Sequence, residues 1–199
     1  MNYITKNRKF FNIDVTGLNQ IGKINEFGIP FIEVIRIHDL CIQGLSLDFI
    51  KDELQKISKS GRDINEYLNP FGCNLLFFVN NMEVLQLLLD MGCNPNHRSH
   101  GFDKVCVDNS QPGTTALHYA GRYFLGNAIR ILGQIVEDKN LLDDDEVSAM
   151  GYSQMTYDNE LMDRRNGMAR YSDKSIEFME KLLTRMNEWG FEPVNYLDK

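Results

Sequence analysis

Residues 81–96, NMEVLQLLLDMGCNPN, join a short apolar-faced segment to a polar turn. Apolar side chains recur here at the spacing that gives a helix one buried face. Gly92 follows in the position where a left-handed residue commonly ends a helix. The pattern therefore predicts a helix that stops at Gly92, with Cys93 as a small buried residue in the turn that follows. The predicted apolar face consists of Met82, Val84, Leu85, Leu88 and Leu89.

A similar helix ending occurs earlier in the chain, and a second motif lies after residue 96. ELQKISKSGRDIN, residues 53–65, closes on Gly61, 31 residues before Gly92. In GTTALHYA, residues 113–120, Thr115 is suited to cap a helix whose Leu117 and Ala120 share one face. This octapeptide resembles the ankyrin T-P-L-H-x-A motif, and the glycine spacing is close to the ankyrin period of about 33 residues. The chain is therefore similar to ankyrin-repeat proteins, most strongly over 69–136.

The resemblance implies an all-α fold, a solenoid of about three to four degenerate ankyrin repeats forming one domain over residues 1–199. Residues 1–28 are expected to form an N-terminal cap and 30–136 the repeats. The second repeat, about 69–96, opens at NPFGCNLLFFV, residues 69–79, and is expected to have two helices with some three residues missing between them. Residues 137–199 are expected to hold an insertion and a degenerate terminal repeat, an atypical C-terminal helical region. Within it, 147–172 predicts an extra helix, and SIEFMEKLLTRMNEWGF, residues 175–191, predicts a helix stopped by Gly190.

The composition of the chain limits the classes of function that it can have. The net charge of −7 disfavours general nucleic-acid binding, which needs a basic surface, and is compatible with a basic partner. No apolar run is long enough to span a membrane, and the N-terminus lacks the features of an export signal. We therefore expect a cytoplasmic protein with reduced cysteines. The acidic run at 136–147, VEDKNLLDDDEV, is read either as a solvated loop or as an acidic docking surface.

Two cysteines and two histidines lie close together with the spacing C-x3-H-x2-H-x5-C, at Cys93, His97, His100 and Cys106. Four such ligands can close a tetrahedral zinc site. The alternatives are a partner-binding finger without metal, since the turn before Gly113 is longer than an ordinary repeat needs, and a merely flexible loop. We favour the metal-free interpretation and predict no cofactor.

Catalytic signatures are weak. The sequence contains no phosphate-binding loop, dinucleotide fingerprint or HExxH motif. His118 occupies the histidine position of the ankyrin-like motif, where the resemblance implies a structural role. We therefore predict a protein that is not an enzyme, while an enzyme with a site in 93–123 or 147–172 stays open as an alternative.

The resemblance implies a binding module, monomeric outside its complex, that neutralises or regulates another protein. An immunity protein that inhibits a cognate, basic toxin or enzyme fits best, and a secreted effector or an adaptor is the alternative. Ankyrin proteins bind partners through their fingers and first helices, so the predicted contacts lie on the long finger, the third repeat and the next turn. They are Arg98, His100, Phe102, Asp103, Gln111, Thr114, Arg122, Tyr123, Asp143, Asp144 and Asp145.

Overall fold

A computed structural model describes residues 23–44, 46–100 and 112–194 of the chain. Within these residues the protein is all-α, as predicted, with seven α-helices, no β-strand and one isolated bridge between Ile24 and Pro30. None of these helices combines the length and the apolar character that crossing a lipid bilayer requires. They are α1 Phe31–Gln43, α2 Leu47–Lys59, α3 Met82–Asp90, α4 Ala116–Arg122, α5 Gly126–Ile135, α6 Ala149–Arg165 and α7 Asp173–Glu188.

The helix ends follow from local side-chain chemistry. Five helices begin at a residue whose side-chain oxygen accepts a hydrogen bond from a backbone N–H of the first turn. The predicted stops at Gly61, Gly92 and Gly190 are confirmed, because each glycine has a left-handed φ, at 78°, 86° and 77°. The five capping residues are Ser46, Asn81, Thr115, Ser148 and Ser172.

The helices pack as consecutive pairs. α1 contacts α2, α4 contacts α5, and α6 contacts α7, while α2, α3 and α5 follow one another along one side. α4 and α6 also approach each other closely, since a Cβ added to Gly121 would collide with the carbonyl of Ala149. Leu88, Leu132 and many other apolar side chains form one continuous buried core beneath these pairs.

Three turns share one hydrogen-bond pattern. In each, the backbone N–H of the first residue donates to the carbonyl of the fifth, and its side-chain oxygen accepts from the N–H of that fifth residue. The fourth residue has a left-handed φ, which is 75° at Gly28, 70° at Gly72 and 61° at Glu146. Gly113, with φ 79°, holds the same place two residues before the cap of α4, so in chain order the turn that contains Gly113 is called the third turn and the turn that contains Glu146 the fourth. The three turns run from Asn25 to Ile29, from Asn69 to Cys73 and from Asp143 to Val147.

Three asparagine side chains connect the end of one helix pair to the end of the next. The amide oxygen of each accepts from a backbone N–H that lies 29, 41 or 52 residues further along the chain. Two of the amides also donate to the carbonyl of a left-handed glycine, Gly92 or Gly190. These recurring asparagine hydrogen bonds connect successive helical units in chain order. The pairs are Asn65 with Asn94, Asn96 with Glu137, and Asn140 with Glu192.

The structure corrects one predicted element. The first helix expected after NPFGC is replaced by a single turn at 75–78. Phe78 ends this turn with φ 70°, and Asn81 already caps α3, so too few residues remain for a full helix. The extra helix predicted within 147–172 is present as α6.

The repeat assignment predicts that six residues are buried between adjacent units, and this is mostly confirmed. They are Leu88, Leu89, Leu117, Ala120, Ile131 and Leu132. Leu88, Leu117, Ala120 and Leu132 are buried, as is Cys93. Leu89 and Ile131 are only partly buried, and Met82 is exposed, so the apolar face of α3 is narrower than predicted. The predicted cap at 1–28 falls outside the described residues as far as residue 22.

Candidate functional site

The start of α4 is held by a buried network around His118. Thr115 caps the helix by accepting from the His118 backbone N–H, and His118 Nδ1 accepts from the Thr115 backbone N–H at 3.1 Å. On the other side of the ring, Nε2 donates to the carbonyl of Leu141 at 2.8 Å. Burial lowers the pKa of His118, so the ring stays neutral with its proton on Nε2. This network fixes the orientation of α4 and of the side chains that follow.

An aromatic row, defined as Phe78, Tyr119, Tyr123 and Tyr152, runs beside α4. The ring centroids of Phe78 and Tyr119 are 3.9 Å apart in an edge-to-face contact, and those of Tyr119 and Tyr123 are 4.3 Å apart. The Arg122 guanidinium lies 6.0 Å from the Tyr123 centroid and 5.7 Å from the Tyr152 centroid. The guanidinium therefore joins the two halves of the row through cation–π contacts.

Three members of the row occupy equivalent places in the chain. Phe78, Tyr119 and Tyr152 each lie six residues after the left-handed residue of the preceding turn, which is Gly72, Gly113 or Glu146. The row thus crosses three successive units, which are the 75–78 turn with α3, the α4–α5 pair and the α6–α7 pair. Its side chains are partly buried except Tyr152, whose ring is buried. Partly buried aromatic rings with restricted motion offer a large contact area at a low entropic cost.

The fourth turn, residues 143–147, adjoins the Tyr152 end of the row. The Tyr152 hydroxyl donates to Asp143 Oδ2 at 2.5 Å, and Asp143 Oδ1 accepts from the backbone N–H groups of Asp145 and Val147. Burial, followed by this bond, raises the pKa of the Tyr152 hydroxyl. Asp143 is only 4% exposed, so its carboxylate holds the turn together.

Two of the predicted contact residues are therefore reassigned. Asp143 was expected on an acidic surface, yet burial and three hydrogen bonds give it a structural role. Thr114 is also buried, and its hydroxyl lies 2.7 Å from that of Ser99. Neither side chain is available to a partner in this structure.

Arg98 and Asp144 link the third and fourth turns. Arg98 donates to Asp144 Oδ1 at 2.9 Å and to the carbonyl of Leu142 at 3.1 Å. The backbone N–H of Asp144 donates to the carbonyl of Pro112. Asp145 is exposed beside them. The pKa of its carboxyl group is raised, first by the partial desolvation of the group and then by the charges of Asp143 and Asp144. The structure thus brings these predicted contacts together.

His97 and His100 lie on either side of Gly72. His97 Nε2 donates to the Gly72 carbonyl at 2.6 Å, and the backbone N–H of His100 donates to the carbonyl of Phe71. The His100 ring is exposed and lies 3.6 Å from Glu26 Oε1. Both histidines therefore connect neighbouring turns in this structure.

The described residues contain no cluster of metal-ligating side chains. Burial raises the pKa of the Cys93 thiol to about 12. Cys106 lies outside the described residues, as do three predicted partner contacts, Phe102, Asp103 and Gln111.

The predicted contacts that are described and reach the surface form two groups. Tyr123 belongs to the row and Arg122 lies over its rings, whereas Arg98, His100, Asp144 and Asp145 lie on the turns. The sequence-based prediction missed Phe78, Tyr119 and Tyr152. The equal spacing of Phe78 and Tyr119 from Gly72 and Gly113 could be read in the sequence, whereas Tyr152 follows Glu146, which is not a glycine. No family model and no curated protein matches the sequence.

Proposed function

We propose that the chain is an ankyrin-type binding module that uses the aromatic row to hold another protein. The observation that carries this proposal is the continuous contact from Phe78 in the 75–78 turn to Tyr119, Tyr123 and Arg122 along α4. Tyrosine and arginine are the residue types most often found among binding hot spots.

The repeat assignment is supported by features that recur along the chain. The turn pattern at Asn25, Asn69 and Asp143 and the asparagine links at Asn65, Asn96 and Asn140 are what stacked, equivalent units would produce. The Thr115–His118 cap agrees with the role that the ankyrin-like motif implies for its histidine. The aromatic row then lies on the first-helix side of the stack, where ankyrin proteins bind.

Within this class we favour a small cytoplasmic inhibitor, such as an immunity protein that covers a cognate toxin and acts without chemistry of its own. The buried functional groups support a role without catalysis, because His118 is enclosed in a structural network and burial raises the pKa of the Cys41 and Cys93 thiols to about 12.

Site-specific photo-crosslinking tests the proposed surface. A photoreactive phenylalanine analogue replaces Tyr123 in one variant and Phe49, an exposed residue of α2, in a matched control. We expect one protein to be captured through position 123 and not through position 49, and then to bind the purified, unmodified chain. Capture of the same protein through both positions, or of none through position 123, would reject the aromatic row as the binding surface.

A further inference from the structure

Residues 190–194 follow α7 and pack against the end of α5. Phe191 is 3% exposed, and a Cβ added to Gly133 of α5 would lie 2.6 Å from Phe191 Cζ, so the ring rests directly on the glycine. The Lys139 ammonium group lies 5.9 Å from the centroid of the same ring. Phe191 therefore anchors this segment to α5 and to the chain that leads from α5 to the fourth turn.

Hydrogen bonds attach the rest of the segment on both sides of the fourth turn. Before the turn, Asn140 Oδ1 accepts from the Glu192 N–H at 2.9 Å, and its Nδ2 donates to the Gly190 carbonyl at 3.2 Å. After the turn, the Ser148 N–H donates to the Val194 carbonyl at 2.9 Å, and Ser148 Oγ accepts from the Val194 N–H at 3.1 Å. The segment thus bridges the chain that enters the fourth turn and the chain that leaves it.

The same segment lies against the first turn of α6. A Cβ added to Gly151 would lie 2.0 Å from the carbonyl oxygen of Val194, so a glycine is needed for this approach. Gly151 is the third residue after the cap of α6, as His118 is in α4. The His118 ring reaches the carbonyl of Leu141, whereas at Gly151 the backbone of residue 194 itself reaches the helix. Residues 190–194 thus have the place beside α6 that the chain before the fourth turn has beside α4.

The fourth turn is therefore fixed at both ends by this segment. The turn itself closes on Asp143, which accepts from the N–H groups of Asp145 and Val147 and from the Tyr152 hydroxyl. The two residues that bind the segment lie three positions before and five positions after Asp143. Hydrogen-bonded segments open locally when the contacts that fix their ends are lost.

We infer that residues 190–194 act as a clamp on the fourth turn: when the clamp is displaced, the turn opens and Tyr152 loses the carboxylate that binds its hydroxyl. Displacement of the clamp also changes the support of Arg122, whose guanidinium lies 5.7 Å from the Tyr152 centroid. The clamp thus links the chain after α7 to the Tyr152 end of the aromatic row. Neither the clamp nor its test depends on the proposed binding of another protein.

Amide hydrogen exchange, followed by NMR on the full chain, tests the clamp. Gly133→Ala adds a methyl group to α5 whose three nearest atoms all belong to Phe191, so it pushes on the clamp from outside the fourth turn. Phe191→Leu shortens the anchoring side chain and leaves α5 unaltered. In both variants we expect the N–H groups of Asp145 and Val147 to exchange about tenfold faster or more than in the wild type.

Two controls separate opening of the fourth turn from a general loss of stability. In the equivalent first turn, the N–H groups of Phe27 and Ile29 donate to the side chain of Asn25, and their exchange should stay unchanged. Gly126→Ala makes the same substitution at the start of α5, where the nearest atom to the added methyl is Phe178 Cζ at 3.5 Å, an ordinary contact. This control should leave the exchange of the fourth turn as it is in the wild type.

Two results would overturn the inference. One is unchanged exchange at Asp145 and Val147 in both Gly133→Ala and Phe191→Leu, which would make the segment a passive end of the fold. The other is equal acceleration in the first and fourth turns, which would mean that the variants weaken the whole fold and not the clamp.

Discussion

His118 Nε2 donates a hydrogen bond to the carbonyl oxygen of Leu141 at 2.8 Å, across 23 residues of sequence. The bond joins α4 to the segment that leads into the fourth turn, while Nδ1 of the same ring accepts from the start of α4. Removing the ring would leave the Leu141 carbonyl and the Thr115 N–H without these partners.

We expect His118→Ala to lower the free energy of unfolding by about 1–3 kcal/mol for each buried polar group left unsatisfied. Thermal and urea unfolding measure this loss. Affinity for a partner, expressed per folded molecule, should stay nearly unchanged because the ring is buried. A variant with full stability and no activity would instead assign His118 a direct role in function.

Acid should destabilise the protein through His38. Burial lowers the pKa of this histidine from 6.5 to about 4, and Nε2 donates to the Tyr67 carbonyl at 3.1 Å. Above pH 6.5 the ring is neutral in both states, so its contribution is unaffected by pH. Below that value the unfolded chain binds the proton first, and stability falls until about pH 4, by about 3 kcal/mol in total.

Urea unfolding at a series of pH values checks this expectation. His38→Gln should flatten the loss of stability between about pH 6.5 and about pH 4, although His118, whose pKa is also lowered, continues to contribute. His100→Gln serves as the control, because His100 is exposed. An unchanged pH profile in His38→Gln would contradict the expectation.

Leu117 and Ile32 provide a matched pair, because each lies two residues after the cap of its helix. Leu117 is 2% exposed between helix pairs, whereas Ile32 is 63% exposed in the first pair. Leu117→Ala should cost about 2–5 kcal/mol through lost burial and the cavity left behind. Ile32→Ala should change stability by about 0.5 kcal/mol or less, and similar losses in both variants would mean that Ile32 is covered.

Replacing the carboxylate by an amide should have different effects on stability at Asp143 and at Asp145. Asp143→Asn weakens a buried acceptor of three hydrogen bonds and should lower the free energy of unfolding by about 1–3 kcal/mol. Asp145→Asn removes a charge that its neighbours repel, so urea unfolding should show unchanged or slightly higher stability. Comparable destabilisation in both variants would place the two carboxylates in similar environments.

Asp143 also shows which features of the structure could not be predicted from the sequence alone. Periodic apolar positions, the cap at Thr115 and the left-handed glycines correctly predicted α3, α4 and α7 and the stops at Gly61, Gly92 and Gly190. Those features depend on residues that are close together in the chain, so they can be recognised from the sequence. The burial of Asp143 depends on Tyr152, nine residues away, and an acidic run ordinarily lies in solvent.

A comparison of turns would have improved the prediction. NEFGI at 25–29, NPFGC at 69–73 and DDDEV at 143–147 are equivalent, but the last has Glu146 where the others have glycine. That substitution hides the similarity in the sequence. The few residues missing from the second repeat were predicted, but the reduction of its first helix to the turn at 75–78 was not, because the apolar pattern there is intact.

Binding kinetics should distinguish the contribution of Tyr123 from that of Asp145 once a partner has been captured through position 123. Tyr123→Ala removes a ring that contacts both Tyr119 and Arg122, so it should weaken binding by about 2 kcal/mol or more through faster dissociation. Asp145→Asn removes an exposed charge and should mainly slow association, by a factor that shrinks as salt screens the charge. Surface plasmon resonance at low and high salt measures both rates, with Glu188→Gln as the charge control. If neither variant changes the affinity, the aromatic row is not the contact, and the surface of 147–172 becomes the next candidate.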